Sequence, residues 1–189
     1  MLTNRITGIF AIVLCMAAFF PLTSLKVSAQ TSPAARQAFR TAGITLLDQP
    51  GNAPDFNLPL LSGENRSLSS YRGRVIMLNF WATWCPPCVQ EMPSMENLYR
   101  RFKDQGLEIL AVNVGENQST VQNFINRYRF TYPIPMDRNS RISRQYGLRY
   151  FPTTYIIDRS GQVISMTVGF KQWDTPQMIS AFEALLSSR

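Results

Sequence analysis

The run Val75-Ile76-Met77-Leu78-Asn79-Phe80-Trp81 is apolar except for Asn79, and Ala82-Thr83-Trp84 then leads straight into Cys85-Pro86-Pro87-Cys88. A strand with no polar face must be covered on both sides, which is the situation of a central strand in an α/β sheet. After the cysteines, Val89, Met92, Met95, Glu96, Leu98, Tyr99 and Phe102 recur at helical spacing as far as Gly106, which reads as a helix stop. The pair therefore stands where a buried strand hands over to a helix. Pro86 and Pro87 suit the first helical turn, where no backbone donor is needed. Unpaired amides and the helix dipole favour a thiolate on Cys85. Cys88 follows one turn later on the same face, within reach of a disulfide. The spacing predicts that Cys85 attacks and Cys88 resolves.

Composition narrows the chemistry further. The chain has three cysteines and no histidine. No Ser-His-Asp or Cys-His pair, no imidazole base and no histidine-bound metal or haem is available. A metal site on Cys85 and Cys88 would lack two of its four ligands, so neither a metal nor another cofactor is expected. A structural staple closing only two residues removes almost no entropy from the unfolded chain. Redox exchange is the use of the pair that has a mechanism.

The first residues point to export. Arg5 precedes the apolar segment Ile9 to Phe20, Pro21 breaks it, and Val27-Ser28-Ala29 offers the small residues that a signal peptidase accepts. Residues 1–29 are expected to be a signal peptide, with an uncleaved membrane anchor as the rival, which Thr7, Gly8, Pro21, Thr23 and Ser24 weaken. Val13-Leu14 before Cys15 lacks the small residues of a lipoprotein signal. Losing this segment removes Cys15 and leaves Cys85 and Cys88 as an even pair. Arginines 36, 66, 100, 127, 141, 149 and 159 are scattered along the remainder. Nucleic-acid binding wants clustered charge, so a solvated basic surface is expected instead.

The 189 residues favour one domain over 51–189, preceded by a partly helical or flexible lead-in over 30–50. Residues 107–114 read as a strand and 119–128 as a helix capped by Ser119 or Asn117. A short strand is expected over 132–136 and a short helix over 140–146, closed by Gly147. Residues 153–158 and 163–168 flank a hairpin turn. A final helix, capped by Asp174 or Thr175, carries Met178, Ile179, Phe182, Leu185 and Leu186 on one face. Near the start, Phe56-Asn57-Leu58 and Arg66-Ser67-Leu68 bracket Ser62-Gly63-Glu64 as a small hairpin.

Several motifs arrive in order: Ala53-Pro54-Asp55-Phe56, Leu78 to Cys88, Glu91-Met92-Pro93, Tyr146-Gly147-Leu148, Phe151-Pro152-Thr153-Thr154 and Ile157 to Gly161. In these, the chain from Gly51 to its end resembles the TlpA/ResA-like thiol–disulfide oxidoreductases, extracytoplasmic members of the thioredoxin superfamily. The resemblance implies an α/β, thioredoxin-like fold: a central mixed β-sheet flanked by helices, with an N-terminal β-hairpin extension. It places Pro152 as the cis-proline facing the disulfide, with Phe151 and Thr153 offering backbone groups to the substrate segment. It makes Glu91 the acidic residue that handles protons near the cysteines, against the plain alternative of a solvated helix glutamate. It matches Asn79, where cytoplasmic thioredoxin has an aspartate. Trp81 and Trp84 either shield the site or fill the core, and Trp84 is counted as a substrate contact.

As to function, a monomeric reductase of client proteins that carry disulfides or CxxC motifs is expected, and the resemblance suggests apocytochrome c or copper-site assembly proteins as clients. Electrons would come from a membrane thiol donor of the DsbD or CcdA type, in a bacterial periplasm, with the N-terminal segment as a tether if uncleaved. Three alternatives remain. A disulfide-inserting oxidase usually has a histidine between its cysteines, which Pro86-Pro87 does not supply. Peroxiredoxins share Ala53-Pro54-Asp55-Phe56, but their Pro-x-x-x-Thr-x-x-Cys loop is absent before Cys85. A non-catalytic binding module would function without either cysteine.

Overall fold

The structure, a computed structural model, describes residues 31–187. The expected signal or anchor lies outside them. Among the described residues no helix is long and apolar enough to cross a membrane.

The apolar run forms strand β4 (Val75–Trp81), buried along its whole length. It pairs in parallel with β5 (Leu107–Val114) and antiparallel with β7 (Thr153–Ile157), so it lies inside the sheet. β1 (Gly51–Asn52), β8 (Gln162–Val168) and β6 (Met136–Asp137) complete a mixed sheet in the order β1-β8-β7-β4-β5-β6. A separate hairpin of β2 (Asn57–Pro59) and β3 (Asn65–Ser67) pairs Asn57 with Ser67 and Leu58 with Arg66.

Strand alternation divides the core in two. Val75, Met77 and Trp81 point into one apolar layer with helix α2 (Pro86–Phe102), whereas Ile76, Leu78 and Phe80 join the opposite layer with Tyr146 and Tyr155. By the same parity Asn79 faces α2. The helix runs on through a 3-10 turn, Lys103–Gln105, and stops at Gly106, whose φ of 102° is left-handed and suits glycine.

Helix α1 (Pro33–Thr41) lies in the segment expected as a lead-in, and that segment is packed rather than loose. Ala35 and Phe39 are fully buried, and the Phe39 ring meets Phe182 edge-on at 5.4 Å on helix α5 (Pro176–Ser187). Leu47 N–H then donates to Ile164 O at 2.7 Å, extending the contact along β8.

Helix α3 (Gln118–Tyr128) is capped by Asn117, which accepts from Thr120 N–H, and not by Ser119, which donates to Asn117. The strand expected over 132–136 shrinks to Met136–Asp137. Pro133 and Pro135 accept from Ala111 and Asn113 through their carbonyls but have no N–H to return. Helix α4 (Arg141–Gln145) begins at the buried Asp137 carboxylate, which accepts from Ile142 and Ser143 N–H. Thr175, not Asp174, caps α5 by accepting from Met178 N–H.

Candidate active site

Cys85 sits just before α2 as its N-cap, and Cys88 lies in the first turn. They are joined as a disulfide with Cα atoms 5.3 Å apart. Cys88 N–H donates to Cys85 Sγ at 3.3 Å, so the helix end directs a backbone donor at that sulfur. Cys85 keeps 4% exposure and Cys88 none. Of the two residues, Cys85 is the one that keeps any surface open to solvent.

The loop before Cys85 is anchored by Glu116. Its carboxylate accepts from Thr83 N–H at 2.7 Å, Thr83 Oγ1 at 2.5 Å and Asn113 Nδ2 at 2.7 Å. Trp81 is a core residue: it is fully buried, donates from Nε1 to Ala111 O and packs on Phe124 at 5.1 Å. Trp84 is the opposite case. It is 65% exposed and stands edge-on to Phe151 at 5.5 Å, which links the cysteine loop to the Phe151–Pro152 loop. The Phe151–Pro152 peptide bond is cis. Thr153 opens β7, pairs with Phe80 and Val168, and donates from Oγ1 to Tyr150 O. Tyr150 (67% exposed) and Phe170 are further exposed aromatics on the segments flanking β7 and β8.

Glu91 is not a solvated helix glutamate: it has no exposed surface. Oε1 accepts from Asn79 Nδ2 at 2.8 Å, and Oε2 accepts from Lys171 N–H and Trp173 Nε1, both at 3.2 Å. Burial outweighs these three donors and pushes its pKa up from 4.5 to about 7. Asn79 Nδ2 also donates to Thr154 Oγ1 at 2.9 Å, so β4, β7, α2 and the loop after β8 converge on one carboxylate.

The structure thus brings Cys85, Cys88 and Glu91 onto the N-terminal half of one helix, with Trp84 and Phe151 in contact beside them. Lys171, Trp173, Thr154 and Glu116 are partners that reading the sequence missed. Only the parity of Asn79 on β4 signalled that something polar would have to meet it beneath α2.

Chemically, a cysteine at a helix N-terminus, disulfide-bonded to a second cysteine one turn on, and a buried acid on the same helix with its pKa raised to about 7 suit thiol–disulfide exchange. Residues 51–166 match the AhpC/TSA family. The chain is 48% identical over 117 residues to the thiol-disulfide oxidoreductase ResA of Geobacillus kaustophilus, covering 62% of this chain and 67% of that protein. It is 39% identical over 128 residues to ResA of Bacillus subtilis, covering 68% and 72%. A Chlorobium tepidum structure assigned to the thiol:disulfide interchange protein DsbE superposes with a TM-score of 0.68 at 33% identity, over 75% of this chain and 99% of that one. The fold is thioredoxin-like and the enzyme is a thiol–disulfide oxidoreductase. The chain belongs to the AhpC/TSA family and, within it, to the ResA-like thiol–disulfide oxidoreductases.

Proposed function

We propose that the protein is an extracytoplasmic reductase of client disulfides, with Cys85 as nucleophile, Cys88 as resolving thiol and Glu91 as the group that moves their protons. The observation that carries this reading is the buried Glu91 carboxylate, held on the cysteine helix and titrating at about 7, where it can both take and return a proton. The Cys85 thiolate attacks one client sulfur, breaking the client disulfide and forming a mixed disulfide; the leaving sulfur takes a proton. Cys88, giving its proton to Glu91, then attacks Cys85 Sγ, which frees the second client thiol and closes Cys85–Cys88. Two electrons and two protons pass to the client.

Trp84, Phe151, Pro152 and Thr153 form the contact surface for the client segment around its cysteine. Apocytochrome c and copper-site assembly proteins are the proposed clients, and a membrane thiol donor of the DsbD or CcdA type returns the electrons. The apolar N-terminal segment and its Val27-Ser28-Ala29 site support a periplasmic location, soluble after cleavage or tethered if uncleaved. A peroxidase is disfavoured because Leu78 and Ala82 stand where the peroxidatic loop requires proline and threonine.

The test is the reduction potential of the Cys85–Cys88 couple, measured by equilibration with glutathione or dithiothreitol buffers. A value near thioredoxin's, about −270 mV and below about −200 mV, is expected of a reductase. A value near about −120 mV would make the protein an oxidant and overturn the direction proposed.

A further inference from the structure

Among the described residues, the hydrogen-bond partners of the Glu91 carboxylate are three donors: Asn79 Nδ2 on Oε1, and Lys171 N–H with Trp173 Nε1 on Oε2. Oε2 already takes two of the three, so a proton added there displaces one of them, and a proton added to Oε1 on the Asn79 side displaces that contact. The three differ in their freedom to give way. Lys171 offers a backbone amide and Trp173 an indole N–H, and neither can become an acceptor. Asn79 can, by turning its amide. Its Oδ1 is buried with no hydrogen-bond partner, while both of its hydrogen bonds leave from Nδ2. Turning the amide presents Oδ1 to Glu91 and to Thr154 Oγ1, whose hydroxyl can donate as readily as it now accepts.

The segment that supplies the two fixed donors is docked on α2 by a row of residues one turn apart. Ser94 Oγ donates to Glu91 O at 2.7 Å and accepts from Trp173 N–H at 3.0 Å, and Asn97 Nδ2 donates to Asp174 at 2.8 Å. Trp173 is fully buried. The indole is thereby held to Oε2 by its own backbone.

We propose that Trp173 is a positioning residue for Glu91: with Lys171 N–H it keeps Oε2 an acceptor in both protonation states, so the exchangeable proton is carried on Oε1 and taken up with a reversal of the Asn79 amide. This rests on the proposed role of Glu91 in thiol exchange. The proton moves between a cysteine sulfur and Oε1, and no bond to Trp173 forms or breaks. The charged and titratable groups around the carboxylate are few. Asn79 on β4 and Thr154 on β7 do not titrate, and the Lys171 ammonium turns away to Gly43 O at 3.5 Å. Tyr132, ahead of β6, senses the Glu91 charge, and its phenol is held well above its ordinary range mainly by burial. Cys85 and Cys88 lie on the same helix.

The experiment is an NMR pH titration of the oxidised protein labelled with 13C at the glutamate carboxyls and 15N at the tryptophan indoles. Glu91→Gln assigns the Glu91 signal, and Trp173→Phe assigns the Trp173 indole. In the unsubstituted protein the Trp173 indole N–H should move with the Glu91 midpoint near 7, while the Trp81 indole, bound to Ala111 O, stays still. Trp173→Phe should raise the Glu91 midpoint by about one pH unit, the worth of one charge-assisted hydrogen bond. In the reduced protein, the pH profile of Cys85 alkylation should move with it. An indole signal that ignores the Glu91 titration overturns the inference, and that result needs no variant beyond assignment. A Glu91 midpoint unmoved in folded Trp173→Phe overturns it equally. If the indole and midpoint behave as expected but alkylation is unmoved in both Trp173→Phe and Glu91→Gln, the clamp stands and the role of Glu91 in exchange falls.

Discussion

Asn79 Nδ2 reaches Glu91 Oε1 across 2.8 Å, joining the strand that leads into the cysteines to the helix that carries them. The contact exists because Asn79 falls on the α2 side of β4, between Met77 and Trp81, and is the only polar side chain in that strand. An apolar residue there would leave Glu91 with donors on one oxygen only. An acid there would put two carboxyls in one dry site.

Asn79→Asp should therefore make stability steeply dependent on pH. Two carboxyls at this separation hold one proton between them and resist losing it. At pH 5 the variant should fold nearly as well as the parent. At pH 8 it should be less stable by about 3 kcal/mol, because a second buried charge has no partner. Urea unfolding at both pH values checks this, and equal losses at the two would show that the pair does not share a proton.

Glu91 itself should give the parent protein a stability that falls with rising pH. Its folded-state pKa is raised from 4.5 to about 7, so the folded protein holds this proton more tightly than the unfolded chain does. The stabilisation is full below about pH 4.5, declines as the pH climbs to about 7 and is flat beyond. A shift of that size corresponds to about 3 kcal/mol. Chemical denaturation at intervals from pH 4 to 8 should show the slope in the parent and its loss in Glu91→Gln. The same substitution should change the pH profile of Cys85 alkylation.

The two cysteines should separate cleanly by phenotype. Cys85→Ser should abolish reduction of insulin disulfides. Cys88→Ser should attack once and stall, accumulating mixed disulfides that are visible on non-reducing gels. Turnover retained in either variant contradicts the assignment, which is argued from Cys85 standing at the N-terminus of α2 with a backbone N–H directed at its sulfur.

Local pattern revealed the framework well and the site only in part. The composition of β4, the periodicity of α2 and the Cys85–Cys88 spacing are short-range features, and each survives in the structure at nearly its expected place. The burial of Glu91 is long-range: it comes from Lys171 and Trp173, 80 and 82 positions on, and no window on α2 contains them. The shortened β6 is a backbone effect, since Pro133 and Pro135 cannot donate to β5 however apolar their neighbours are. Glu116 escaped notice because its value lies in gripping Thr83 beyond the C-terminal ends of the neighbouring strands β4 and β5, and nothing in its own stretch of sequence marks it.

Trp84 should matter for client proteins and hardly at all for folding. It is two-thirds exposed and stands edge-on to Phe151. Trp84→Ala should cost no more than about 1 kcal/mol of stability. It should lower kcat/KM for a protein disulfide about tenfold, the loss of one modest aromatic contact. The rate with a small aromatic disulfide and the reduction potential should hold. A parallel fall with both substrates would place Trp84 in the chemistry rather than in client contact.

Phe39→Ala tests whether the segment ahead of Gly51 is an appendage or part of the domain. The side chain is fully buried between α1 and α5 and meets Phe182 at 5.4 Å. Ile44 and Leu46 are buried beyond it, and Ser165 Oγ donates to Thr45 O at 2.9 Å, so the contact continues along β8. A loose lead-in would leave stability within about 0.5 kcal/mol of the parent. Emptying a packed phenylalanine site should instead cost about 3–5 kcal/mol, a large share of what a domain of this size has to spare. The reduction potential should not move, because α1 packs on α5, away from the helix end that carries the disulfide. A lowered urea midpoint with an unchanged potential is therefore the expected pair of results. A potential that shifted with the midpoint would mean that α1 reaches the cysteines through the loop after β8, where the Lys171 ammonium already meets Gly43 O.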